Sequence, residues 1–154
     1  MPMSLELTTT IQAPPERVFE AATDTDHFQD WMQNFVRVEV LTEGPFANGT
    51  QFLEYRKMFG KVAFEHFEVV HYEPPTRLDL FVDGTKGATK RGVYHFVHTF
   101  EPLDGGQATL LRLVGNIEGM GIMGAILGVF FKGMFRKAMQ KDFDALKAWI
   151  ESTA

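Results

Sequence analysis

Leu5, Leu7, Thr9 and Ile11 alternate with Glu6, Thr8, Thr10 and Gln12, the period-two pattern of a strand with one buried face. Pro14-Pro15 stops that strand. Proline fits the first helical turn, so a helix is predicted from about Pro15 to Ala22, with Val18, Phe19 and Ala22 as its apolar stripe. Thr23 to Asp26 breaks it, Asp24 caps or ends a helix, and a second short helix covers His27 to Met32. Trp31 reads as a core ring tying that helix to a sheet.

Alternation returns in Val36, Val38 and Val40, and again over about Thr50–Phe59, Val62–Tyr72, Leu78–Val82, Gly92–Phe100 and Ala108–Ile117. These are six further strands. Gly60-Lys61 reads as the centre of a tight type II′ hairpin. That turn sets Arg56 opposite Glu65 and Tyr55 opposite His66. An opposite-charge pair belongs on a solvated face. Tyr55, Phe64 and His66 are therefore expected on the inner face, with Glu68 sharing it. Gly84 to Lys90 is polar, glycine-rich and expected to be mobile.

Ile122, Ile126, Phe130, Met134, Met139, Phe143, Leu146 and Ile150 then recur at helical spacing. The first half of this long helix is apolar almost all round and is expected to be buried all round. The second half is amphipathic, with Lys137, Lys141, Asp142, Asp144 and Lys147 expected outward. Glycines at 121, 124, 128 and 133 cost about 1 kcal/mol each in a helix interior. They imply that space is wanted, for close packing or for a ligand. Short turns between consecutive strands imply an antiparallel sheet, and the closing helix packs most simply against its concave face.

Composition narrows the function. The 154 residues suit one domain spanning 1–154. A formal net charge of −5 argues against a nucleic-acid partner. Cysteine is absent, so there is no thiol nucleophile or thiolate metal site, which suits a reducing cytoplasm. The N-terminus lacks the pattern of a signal peptide, and the greasiest run, Gly119 to Phe131, is too short to span a bilayer. Fifteen phenylalanines, which carry no polar handle, point to a ring-lined interior.

The front motif Ile11-x-Ala13-Pro14-x-Glu16-x-Val18-Phe19, with Asp24 and Trp31 soon after, resembles the START/Bet v 1-like (SRPBCC, polyketide cyclase/dehydrase-like) superfamily. The turn Glu73-Pro74-Pro75-x-Arg77-Leu78 and the long closing helix extend the resemblance. It implies an α+β helix-grip fold: a curved seven-stranded antiparallel sheet wrapped around a long C-terminal helix, with two short helices after the first strand and a cavity between. Members share that fold far more than one function.

Candidate chemistry is sparse. The serines, Ser4 and Ser152, lie near the ends, so no Ser-His-Asp triad can be assembled. His95 and His98 are three apart on a strand and point to opposite faces, as His66 and His71 are expected to do. No metal or other cofactor is expected. His66 and His98 are the acid–base candidates, with hydrogen-bonding anchorage of a ligand as the plainer role. Glu68 sits near the rim, pairs with Arg112, or holds a proton.

The leading expectation is a soluble binder of a small hydrophobic molecule (lipid, polyketide, terpenoid or aromatic). Tyr55, Phe64, His66, Tyr94, Phe96, His98 and Arg112 from the sheet, and Met123, Leu127, Phe130 and Met134 from the helix, would line its site. One alternative is a cyclase/dehydratase-type enzyme using His66 or His98. Another is a co-chaperone-like or membrane-peripheral module that uses the apolar helix half and the Gly84–Lys90 loop, for which an exposed Ile122/Ile126/Phe130 patch would be the sign. Oligomeric state is open.

Overall fold

The computed structural model describes residues 3–153, apart from the side chains of residues 123–125, 127 and 131. The strands are β1 (Met3–Ile11), β2 (Phe35–Val40), β3 (Gln51–Met58), β4 (Lys61–Glu73), β5 (Arg77–Asp83), β6 (Val93–Leu103) and β7 (Ala108–Glu118). They form one antiparallel sheet in the order β1-β7-β6-β5-β4-β3-β2. Helix α1 (Pro15–Thr23) and a 3-10 turn (Thr25–Asp30) carry the chain from the β1 edge to the β2 edge, and α2 (Gly121–Ser152) closes it. The sheet is curved, and the architecture is the helix-grip α+β fold.

Local chemistry sets these elements. Leu5, Leu7 and Ile11 are buried while Ser4, Glu6, Thr8 and Thr10 are exposed, so β1 keeps its alternation. Pro15 opens α1, and Val18 and Phe19 face inward. The Asp24 carboxylate accepts from the backbone N–H of Asp26 (3.1 Å) and caps the 3-10 turn. Trp31 is buried edge-on to Phe28, with ring centroids 5.8 Å apart.

The β3–β4 hairpin departs from expectation. Met58 pairs with Lys61, so the two-residue loop is Phe59-Gly60, not Gly60-Lys61. Both loop residues have positive φ, 51° and 80°, as a type I′ turn requires. Tyr55 consequently faces Phe64, and Leu53 faces His66. A two-residue slip leaves each facial set intact, because side chains alternate with period two. What changes is which set faces in. Phe52, Phe67 and Val69 share a face with Glu54, Arg56 and Glu65, and burying those apolar groups turns that face to the core. Tyr55, Phe64, His66 and Glu68 therefore lie on the convex face. A bulge between Val69 and His71 then shifts β4, so His71 joins His66 on the convex face and Tyr72 turns in.

Helix α2 runs alongside β1. Arg136 donates to the Glu6 carbonyl (3.1 Å), Lys147 to the Thr10 carbonyl (2.7 Å), and the Gln12 N–H to Glu151 (2.8 Å). A Cβ built on Gly128 would sit 3.3 Å from the Met3 sulfur. Gly128 thus meets the start of β1, and the helix before it overhangs the end of the sheet. The first half is not buried all round: among its described side chains Ile122, Ile126, Val129 and Phe130 are 71–91% exposed. The second half is seated through Phe143, Leu146 and Ile150. Asp142, expected outward, is buried beneath it at 8% exposure.

This asymmetry is measurable. Leu146→Ala is expected to cost about 2–5 kcal/mol in urea unfolding, while Ile126→Ala stays within about 0.5 kcal/mol of the parent. Equal losses at the two positions would contradict the seating described.

Candidate functional site

The concave face carries an aromatic wall. Tyr94 and Phe96 of β6 meet Phe135 of α2 at centroid distances of 6.1 and 6.2 Å, and Phe96 lies nearly parallel to Phe135. Across the sheet, Phe52 stacks on Phe67 at 5.0 Å. Between these rings the face is charged. Arg56 donates through Nε to Glu54 (3.0 Å) and through Nη1 to Asp142 (2.7 Å) and the Gln33 carbonyl (3.3 Å). The Gln33 N–H donates to the other Asp142 oxygen (2.9 Å). Burial raises the pKa of both Glu54 and Asp142, and the Arg56 guanidinium opposes that rise. One cation thus joins β3, α2 and the segment before β2.

Glu65 stands directly across the strands from Glu54. Arg56 is already committed to two carboxylates, and Glu65 Oε2 is buried without a hydrogen-bond partner. Burial, helped by the nearby Glu54 charge, lifts its pKa to about 7, while Thr89 pulls the other way. Thr89 and Glu65 also act on the Tyr94 hydroxyl, whose pKa burial raises. The β5–β6 connection seals this corner. Ala88 N–H donates to the Phe64 carbonyl (2.8 Å), and a Cβ on Gly87 would come within 2.3 Å of the Glu65 carboxylate.

His98 lies further along β6 on the same face, its ring 6.2 Å from that of Phe143. Its Nδ1 is 3.2 Å from the Leu78 carbonyl. Burial pushes its pKa down to about 4, so the ring is neutral at physiological pH and Nδ1 donates.

Of the residues expected to line a site, the concave face brings together Tyr94, Phe96 and His98. Tyr55 sits on the convex face with the Arg37 guanidinium 3.8 Å above its ring, and Phe64 packs beside it at 5.3 Å. His66 is buried on the same convex side. Arg112 pairs with Glu6 on the convex face, because its neighbours Leu111 and Leu113 take the inward positions. Phe130 and Met134 are exposed, at 73% and 42%. The side chains of Met123 and Leu127 lie outside the described residues. Sequence reasoning missed Glu54, Arg56, Glu65 and Asp142 as inward groups. The usable signal was the parity that Phe52 shares with Glu54 and Arg56.

Concavities open on the surface of the described residues at these places among others. One, of about 490 Å³, lies at the β1 edge beside α2, between Leu5, Glu6, Lys132 and Arg136. Another, of about 420 Å³, lies on the convex face around Phe81 and His95. No cluster of three or more His, Asp or Glu placed to hold a metal occurs among the described residues.

The sequence model of the family described as "Polyketide cyclase / dehydrase and lipid transport" matches residues 2–151. The chain belongs to this family. Among solved structures, this polyketide cyclase/dehydrase family member is similar to the Zhui aromatase/cyclase from Streptomyces sp. R1128, with a TM-score of 0.80, 18% identity, and 98% and 94% of the two chains covered. It is similar to Ara h 8.0201 at a TM-score of 0.80 and 17% identity over 99% of both chains. It is also similar to a START superfamily protein from Mycobacterium smegmatis, at a TM-score of 0.78 and 14% identity over 98% and 99%. At these identities the likeness is one of fold. No curated protein matches.

Two predictions follow from the charges of this family member. Arg56→Leu strands two carboxylates and is expected to cost about 3 kcal/mol at pH 7. The loss should shrink in acid, where Glu54 and Asp142 take up protons. Second, Glu65 ionises near 7 when folded against 4.5 ordinarily, so its contribution to stability falls as pH rises from 4.5 to 7. His98 takes its proton near 4 when folded against 6.5 ordinarily, so its contribution is lost as pH falls from 6.5 to 4. Relative to the parent, Glu65→Gln should therefore gain stability as pH rises across the first window. His98→Gln should gain as pH falls across the second. Urea midpoints at several pH values separate the two slopes, and parallel profiles would refute both assignments.

Proposed function

We propose that this chain binds a small hydrophobic molecule, of the lipid, polyketide, terpenoid or aromatic class, between the concave face and α2. The observation that carries this reading is the Tyr94/Phe96/Phe135 wall set beside the unpartnered oxygen of Glu65. Apolar walls supply affinity, and a few fixed polar groups orient the ligand. Glu65, Tyr94 and His98 are those groups here, and family membership supports the choice.

A second reading has its own support. A carboxyl that burial and the nearby Glu54 charge lift to about 7 is suited to pass a proton at neutral pH. The likeness to an aromatase/cyclase agrees with such a role. Glu65, not a histidine, is then the acid–base group, since His98 is held neutral and His66 lies on the other face.

Native mass spectrometry of freshly purified protein should reveal a co-purified apolar molecule. A fluorescent probe such as 1-anilinonaphthalene-8-sulfonate should bind, and Phe135→Ala should weaken it about tenfold, the loss of roughly one well-packed ring contact. An apo mass together with probe binding indifferent to Phe135→Ala would overturn the binder reading.

A further inference from the structure

We propose that one end of this protein docks on the surface of an anionic lipid bilayer. Three segments meet at that end: the β3–β4 hairpin tip (residues 57–62), the β5–β6 connection (84–92) and the start of α2 (119–134). In the strand order the β5–β6 connection lies between the other two. The connection is hydrogen-bonded to β4 through Ala88 and Phe64 (2.8 Å), and a Cβ on Gly121 would lie 3.6 Å from the Arg91 guanidinium.

Two properties coincide there. The first is exposed apolar surface. Phe59 is 88% exposed at the hairpin tip, and Ile122, Ile126, Val129 and Phe130 present an exposed stripe at helical spacing. Single exposed apolar groups are ordinary, but a contiguous set marks a contact surface. The second is charge. The three segments carry six cations, Lys57, Lys61, Lys86, Lys90, Arg91 and Lys132, and no acidic residue, in a chain of net charge −5. Asp83 and Glu118 border the surface, and Asp83 is engaged by Thr85. An apolar stripe with cations on its own helix and on the two neighbouring segments, in a chain of net negative charge, complements a bilayer with anionic headgroups. A second copy of this chain would bring six like charges against six. No helix among the described residues is long and apolar enough to cross a membrane, so the contact is peripheral. The surface does not depend on what occupies the concave face.

The test is co-sedimentation of the full chain with vesicles of phosphatidylcholine alone or with about 30% phosphatidylglycerol, at low and high salt. Binding is expected to the anionic vesicles, to weaken with salt, and to fall about tenfold in Lys86→Glu/Lys90→Glu and in Ile126→Asp. Lys141→Glu, on the seated half of α2, should bind as the parent does. All positions are exposed, and thermal melts confirm that the variants fold. Indifference to anionic lipid, or binding unchanged by both variants, overturns the proposal. So does a concentration-dependent dimer that ignores vesicles, which gives this face to a second copy. Probe binding in the absence of vesicles scores the interior separately, so either reading can fail alone.

Discussion

A single guanidinium holds the two halves of this fold in register. The helix is secured to the β1 edge by backbone carbonyls that accept from Arg136 and Lys147. On the opposite flank its polar anchor is Asp142 on Arg56. Because Arg56 also engages Glu54 and the carbonyl of Gln33, the strand, the helix and the entry to β2 share one charge centre. A buried pair of this kind contributes little net stability compared with apolar packing, but its geometry is demanding. It ties Asp142 of the helix to the strand that carries Glu54 and Arg56.

The same economy of cations explains the state of Glu65. Two carboxylates of the concave face, Glu54 and Glu65, and one of α2, Asp142, surround one arginine, and Glu54 and Asp142 claim it. The third is left facing Glu54 under the cover of the β5–β6 connection. A low-dielectric setting then favours the neutral acid. His98 shows the mirror case, a base kept uncharged by burial. The concave face therefore holds two titratable groups that are both neutral under mildly acidic conditions, which suits contact with apolar matter.

Much of the scaffold was legible from residues alone. Alternation in Leu5–Ile11 and Val36–Val40, the Pro14-Pro15 break and the spacing of Phe143, Leu146 and Ile150 each specify one local geometry, and each element appears where the pattern put it. The site was less legible. The facial sets of β3 and β4 could be grouped, but their direction hinged on whether Arg56 and Glu65 meant solvent. Three apolar residues of the same parity outweigh them, since burying Phe52, Phe67 and Val69 is worth more than exposing two charges. Asp142 was misplaced for the same reason: a partner from a distant strand is invisible to helical periodicity. Nor could His71 have been placed, because an extra residue in β4 changes the parity without any glycine or proline to announce it. The first half of α2 reads as buried by composition. Among its described side chains, Ile122, Ile126, Val129 and Phe130 instead face solvent, which hydropathy does not announce.

Gly87 shows how far apart cause and effect can lie in such a fold. It has ordinary negative backbone angles, so its lack of a side chain serves space and not flexibility. The missing methyl lets the connection close on a carboxylate of another strand. Acidity at the floor of the clasp is thereby governed from its rim. Any larger residue at this one position would have to push the strap away from Glu65 and from the Phe64 carbonyl beside it.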